Sequence, residues 1–315
     1  MESESAPHAS RTPHASRLPH ASGAPPTDGP GGAYRWEFTD DRGQLVVAPR
    51  RPVRLAAYIQ AGAALWDHGL RPAGIFGSSH DDPRVPDPAK AGELPLGSLP
   101  YYGAGAALDM DALLAADPEL IVAVTYGGGQ TYGITPEAAK HLEEQVPVVA
   151  LDVSRGRSLT EVRDSFTRLA HALGAAPDDA ADTELAAAQQ RLTLATAAAG
   201  RPRVLALSPA DAETVHLARP HTWPDLSALA ALGVPLVEPA EGPGANWSTV
   251  PWSEAAALAP DLVLVDVRAH AAALPADFAT TVRTTPWNPE LPPSPAAHTR
   301  FHDTLTSALH ALRGA

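Results

Sequence analysis

Tyr126-Gly127-Gly128-Gly129-Gln130 is the segment of this chain best suited to hold a small molecule. A glycine run after an apolar strand lets backbone amides and neighbouring side chains approach a ligand closely, although a plain structural turn is the other reading. Elsewhere in the first half, Tyr58, Gln60, Ser78, Ser79, His80, Tyr102 and Tyr132 stand where loops are expected. Ser208, His221, Trp223, Asn246, Trp247, Arg268 and Trp287 do so in the second. Aromatic residues make up 5% of the chain, so their concentration in loops needs a reason. Loop tyrosines and tryptophans offer large rigid faces with one hydrogen-bond donor each, which suits a bulky amphipathic ligand. Arg268 supplies a charge-assisted hydrogen bond to an anionic group, or else it is a solvated arginine beside Asp266. His221-Thr222-Trp223 and Asn246-Trp247 close a cleft from the second half, unless Trp223-Pro224 simply starts a packed helix.

Dedicated catalytic chemistry is harder to find. Gly103-Ala104-Gly105 lacks the third glycine and the preceding strand of a dinucleotide fingerprint, and the chain has no Walker loop, Gly-x-Ser-x-Gly elbow or His-Glu-x-x-His helix. Cysteine is absent, which removes disulfides, thiolate metal sites and cysteine nucleophiles. His68, His80, His216, His221 and His270 are isolated at irregular spacing, so no metal ligands and no resident cofactor are expected. A net charge of −13 and no Lys/Arg block exclude nucleic acid and anionic lipid as natural partners. No run approaches the ~18 consecutive apolar residues of a membrane span.

The elements that must position these residues alternate between strand and helix. Tyr34–Phe38 and Gln44–Val47 flank the turn Asp40-Asp41-Arg42-Gly43. Strands then read at Val53–Tyr58, Pro72–Phe76, Leu120–Val124 and Pro147–Val153, with helices at Ala61–His68, Met110–Ala116 and Pro136–Gln145. Such alternation predicts a mostly parallel sheet covered on both faces. Its ligand loops follow the carboxyl ends of the strands, after Tyr58, Phe76, Val124, Leu207, Val237 and Val267. The second half repeats the grammar in the same order: Arg201–Leu207 echoes Arg51–Ala57, Leu229–Pro235 echoes Leu65–Pro72, and Ala255–Val265 echoes Leu113–Ala123. Between the halves, Leu159–Leu173 and Asp178–Ala199 carry helix formers at helical spacing. The expected organisation is a disordered Pro-His-Ala-Ser tail over 1–33, an α/β lobe over 34–157, a helical connector over 158–200 and a second α/β lobe over 201–315. The fold class is two Rossmann-like lobes with mostly parallel sheets joined by a long inter-lobe helix, a stiff connector that limits closure.

Leu108-Asp109-Met110-Asp111-Ala112-Leu113-Leu114-Ala115-Ala116-Asp117-Pro118-Glu119-Leu120-Ile121-Val122 resembles the Leu-Asp-x-Glu-x-Leu-x-x-Leu-x-Pro-Asp-Leu-Ile-Val signature of siderophore-, haem- and cobalamin-binding proteins of ABC importers. Pro147–Asp152 with the helix that follows, and Glu254–Val265, fit at the corresponding places. The resemblance runs from about Tyr34 to the C-terminus. It implies a non-enzymatic solute-binding protein that holds an iron chelate in an interlobe cleft, ferric siderophore first and haem or cobalamin next, and passes it to an ABC permease, a task that needs only a monomer. It also implies that Asp111 and Glu254 meet basic residues of that permease; as first-turn carboxylates they equally suit helix N-termini. Two features depart from the pattern. Pro100–Gly105 stands where some hydroxamate binders carry an arginine. Relatives are exported, whereas Met1–Gly32 shows no apolar signal core and no cysteine is present to carry a lipid, so an extracytoplasmic location by resemblance competes with a cytoplasmic one as written. A cytoplasmic relative turned enzyme, using Tyr126, His221 or Arg268, is the competing class.

Overall fold

The computed structural model describes residues 35–313; the expected Pro-His-Ala-Ser tail lies outside the described residues. The chain opens on an antiparallel hairpin, β1 (Trp36–Thr39) and β2 (Leu45–Ala48). Asp40 organises its turn: the carboxylate accepts backbone N–H bonds from Arg42 (2.9 Å), Gln44 (3.1 Å) and Ala150 (3.1 Å), tying the hairpin to the first lobe.

That lobe contains β3 (Leu55–Tyr58), α1 (Ile59–Asp67), β4 (Gly74–Gly77), β5 (Tyr101–Ala104), α2 (Met110–Ala115), β6 (Leu120–Thr125), α3 (Pro136–Gln145) and β7 (Val148–Asp152). The strands form one parallel sheet in the order β5-β4-β3-β6-β7. Every residue of β3, β4 and β6 is buried, as continuous apolar strands require when helices cover both faces.

The connecting region is two helices, α4 (Leu159–Ala172) and α5 (Asp179–Ala198), separated at Gly174, whose φ of 95° stops α4. Ser158 and Glu161 form a capping box at the start of α4. Val162, Phe166 and Leu169 of α4 pack into the first lobe's core, while Leu192 and Ala195 of α5 pack into the second's. Each helix is thus anchored to its own lobe, and α5 lies along the C-terminal helix.

The second lobe contains β8 (Val204–Pro209), β9 (Thr214–Ala218), α6 (Pro224–Ala231), β10 (Trp247–Pro251), α7 (Trp252–Ala257), β11 (Leu262–Asp266), α8 (Ala276–Ala279), β12 (Arg283–Trp287) and α9 (Pro295–Leu312). Its sheet order, β10-β9-β8-β11-β12, mirrors the first. The repeat extends to backbone detail. Asp117 and Ala259, one residue before Pro118 and Pro260, both adopt positive φ (50° and 45°) to turn a helix sharply into its strand. Directly after these prolines, Glu119 and Asp261 donate their N–H groups to Arg54 O (2.8 Å) and Arg203 O (2.9 Å). The lobes diverge at one strand. The segment ending at Val237 makes only a single parallel bridge, Leu236 to Val204, because β8 turns back into the β9 hairpin, which takes the rest of that edge.

α9 buries two histidines one turn apart, His298 and His302. Neither ring nitrogen of His298 has a hydrogen-bond partner among the described residues. Burial drives the His298 imidazole well below its usual range and holds His302 at about 4, with Arg163 adding to both shifts. An unfolded imidazole protonates near 6.5, so the unfolded chain takes up protons first. Stability from these groups is complete above that pH and is lost as pH falls towards 4, by about 3 kcal/mol for His302 alone. Asp225 opposes them: burial raises its carboxyl to about 6, so its contribution is present at acid pH and is lost as pH rises through 6. Two imidazoles outweigh one carboxyl, and urea midpoints should fall between pH 6.5 and 4.5. His302→Gln should flatten the slope and Asp225→Asn should steepen it; a slope unchanged in both variants would contradict this assignment.

Candidate functional site

In both lobes the carboxyl ends of the parallel strands lie on the same edge, and the two edges face each other. The first lobe contributes Tyr58 at the end of β3, the turn Ser78–Asp81 after β4, and Tyr126 and Tyr132 after β6. Ser208 near the end of β8, Asp266, Arg268 and His270 at and after β11, and Trp287 to Glu290 at and after β12 come from the second.

A chain of buried charges joins the edges. Lys90, fully buried, sits 2.7 Å from Asp81 in its own lobe and 2.9 Å from Glu290 in the other. Glu290 also accepts from Arg268 (2.9 Å) and from the Tyr58 hydroxyl. Arg268 grips Asp266 through Nε and Nη2, and Asp266 accepts from Ser208 (2.7 Å). Two further bonds cross the seam: Ala269 N–H to Asp87 (2.9 Å) and Asn288 Nδ2 to the Ala89 carbonyl (2.6 Å). Burial, and then the nearby Glu290 carboxylate, raises the Tyr58, Tyr126 and Tyr132 phenols, so all three remain protonated donors at neutral pH. For Asp81, burial works towards protonation, but the Lys90 ammonium overcomes it and keeps the carboxyl below its usual range.

Beside this seam lies a cleft of ≈ 420 Å³. His80, Tyr126 and Tyr132 wall it from the first lobe; Trp223, Asn246, Trp247 and Arg268 do so from the second. The aromatic rings brace one another edge to face, Tyr126 on Tyr132 at 4.6 Å and Trp223 on Trp247 at 4.9 Å between centroids. These seven, with Ser208, are the loop residues from the sequence reading that the fold brings together. Gly133, at φ 81°, turns the chain after Tyr132 so closely that a Cβ there would lie 2.9 Å from Ser78 Cα.

The other candidates sit elsewhere. Tyr58 is wholly buried within the charge seam, and Gln60 bonds the Leu291 carbonyl (3.2 Å) beside a small half-open pocket. Tyr102 is a core residue: it belongs to β5, where a loop was expected, and its ring covers Gly74, which has no side chain to obstruct it. Trp287 is buried behind Trp223 and donates its N–H to Asp225 (2.6 Å). Ser79 and Gln130 are exposed and do not line the cleft. His221 faces a different groove and pairs with Glu238 (3.0 Å). Arg268 reaches the wall, but it is neither a free anion receptor nor solvated, because Asp266 and Glu290 occupy its guanidinium. Sequence reading missed Lys90, Asp81, Asp87 and Glu290 entirely, and His216 and His270 lie on the cleft wall rather than apart from it. Asp81, Asp87 and His270 approach one another, but Lys90 and backbone amides already engage the two carboxylates.

Two α/β lobes with a preformed aromatic cleft and a fixed seam define a bilobal solute-binding protein. A family model described as Periplasmic binding protein matches residues 69–284, and the chain belongs to that family. Its fold is similar to the crystal structure of DesE, a ferric-siderophore receptor protein from Streptomyces coelicolor, at 27% identity and a TM-score of 0.77 over 87% of this chain and 97% of that one. It is also similar to FhuD from Vibrio cholerae, solved with Fe3+-Desferal bound, at 19% identity and a TM-score of 0.58 over 82% and 98% of the two chains. A periplasmic heme binding protein from Pseudomonas aeruginosa matches at 17% identity and a TM-score of 0.58 over 82% and 93%. These last two likenesses speak to fold alone. No curated protein matches the sequence. The family and these neighbours are binding proteins, not enzymes, and ABC transport is the family's standard context.

Proposed function

We propose that this protein captures a ferric siderophore in the interlobe cleft and delivers it to an ABC importer, working as a monomer outside the cytoplasmic membrane. The cleft carries the reading: rigid aromatic faces from both lobes enclose a volume suited to a compact chelate, and protonated phenols are available to donate to its oxygen atoms. Similarity along nearly the whole chain to a ferric-siderophore receptor supports it. The metal stays coordinated by the chelator, and the lobes, already locked by the seam, spend little ordering free energy on binding. Titrating tryptophan fluorescence with ferric hydroxamates, ferric catecholates, haem and cobalamin, each with an inner-filter control, tests the reading. Saturable submicromolar quenching by a ferric siderophore is the expected result; quenching by haem or cobalamin alone would replace the ligand, and silence across the panel would remove the proposal.

Delivery rests on a second observation. Asp111 and Glu254 are exposed in the first turns of α2 and α7, the helices that precede Pro118 and Pro260 in the internal repeat. The two positions differ by one residue when Pro118 and Pro260 are aligned, but one exposed first-turn carboxylate on each lobe fits a permease that offers a basic residue to each. Asp111→Arg together with Glu254→Arg should leave chelate affinity unchanged while cutting uptake into cells at least tenfold. Uptake at the unmodified rate would exclude these carboxylates from docking.

A further inference from the structure

Arg268 is the one lysine or arginine among the described residues that line the cleft, and it is already committed. Its Nη2 lies 2.8 Å from Asp266 and its Nη1 2.9 Å from Glu290, and the side chain is 9% exposed. Lys90, behind it, is consumed by Asp81 and Glu290. Asp87 adds a fourth buried carboxylate, held by the backbone amides of Ala89 and Ala269 (2.9 Å each) and, among the described residues, by no cation. The seam therefore holds four carboxylates against two cations, next to a wall of aromatic rings. His80, His216 and His270 are the other titratable groups on the wall besides the phenols. Burial first, and then the Arg268 charge, lowers the His270 imidazole, so it adds no positive charge at neutral pH. Ligand charge in such a cleft meets a net negative field.

Resting on the siderophore reading above, we propose that this cleft selects iron chelates by charge, accepting those of zero or positive net charge and rejecting polyanions. Three hydroxamates carry three negative charges and cancel Fe(III), so a ferric tris-hydroxamate is neutral, or cationic where its backbone bears an amine. Three catecholates carry six charges and leave the complex at −3. Arg268 acts here as a positioning residue for the seam, and the negative excess it leaves uncancelled is the selectivity device.

A charge series on one scaffold tests this. A linear ferric tris-hydroxamate with a free terminal amine, its N-acetyl derivative and its N-succinyl derivative share one iron centre and carry +1, 0 and −1. Fluorescence titration at pH 8, where ordinary imidazoles are neutral, should give comparable affinity for the first two. The succinyl form should bind at least tenfold more weakly and a ferric tris-catecholate at least a hundredfold more weakly, with both gaps narrowing in high salt. Ala210→Lys, which adds a free cation to the wall without touching the seam, should shrink the amine-to-succinyl gap at least threefold. Equal affinities across the series, or tighter binding of the anionic members, would overturn charge selection while leaving siderophore binding intact. A lack of response to every ferric chelate would overturn the siderophore reading and this one with it.

Discussion

Glu290→Ala is expected to destabilise the protein by about 3–5 kcal/mol, the cost of breaking a buried ion network by removing one partner. Glu290 is buried and accepts from three groups, Lys90, Arg268 and Tyr58, two of them from the opposite lobe. Its loss leaves Lys90 with Asp81 alone, Arg268 with Asp266 alone, and a buried phenol without its acceptor. Desolvation of these groups is fully spent on folding, so each lost bond is felt without compensation from water. Urea denaturation reads the effect as a fall in midpoint. Glu290→Leu combined with Lys90→Met should recover part of the loss, because Asp81 can be protonated more readily than the buried Lys90 ammonium can be held by one carboxylate in place of two. An unchanged midpoint in the single variant would mean that water enters the seam in solution and the lobes are not locked.

Trp247→Ala is expected to weaken chelate binding by about 2–3 kcal/mol, roughly 30- to 150-fold, as for an aromatic anchor at the centre of a contact. Trp247 starts β10, the edge strand of the second sheet, and is half-buried against Trp223. Trp223 and Trp287 are held more firmly, by N–H bonds to the Asn246 carbonyl (3.2 Å) and to Asp225. Trp247 is therefore the ring of the cluster most available to a ligand and the one whose removal disturbs the core least. Fluorescence or calorimetric titration of the variant with a ferric tris-hydroxamate measures the change. Affinity equal to that of the unsubstituted protein would place the chelate away from the tryptophan wall.

Most elements were legible because their signals are local. The helix ending at Ala115 and the strand from Leu120 are encoded by Asp117-Pro118 between two apolar runs, and the same stop recurs at Ala259-Pro260. β5 was hidden because Pro100 and Gly103 punctuate it as a loop; it is a strand only because β4 offers an open edge and Gly74 leaves space for the Tyr102 ring. The strand expected before Val237 reduces to one bridge for the opposite reason, since the β9 hairpin had already taken most of that edge of β8.

The charge seam was illegible. Lys90 lies in a proline-rich loop and Glu290 between Pro289 and Leu291-Pro292, where isolated charges read as solvated. A charge bracketed by prolines and apolar residues was the available signal, but it does not name a partner 200 residues away.

The sequence by itself determined the α/β alternation, the twofold repeat, the family resemblance and the concentration of aromatic residues at the carboxyl ends of strands. Each depends on residue order over a few turns of chain, where periodicity and backbone stops act directly. Tertiary structure alone decided which aromatics face the cleft and which sink into the core, and that Arg268 is spent on Asp266 and Glu290 instead of free for a ligand. Those outcomes depend on how two lobes dock across a seam, where a side chain's partners come from distant residues and burial makes their charges strong.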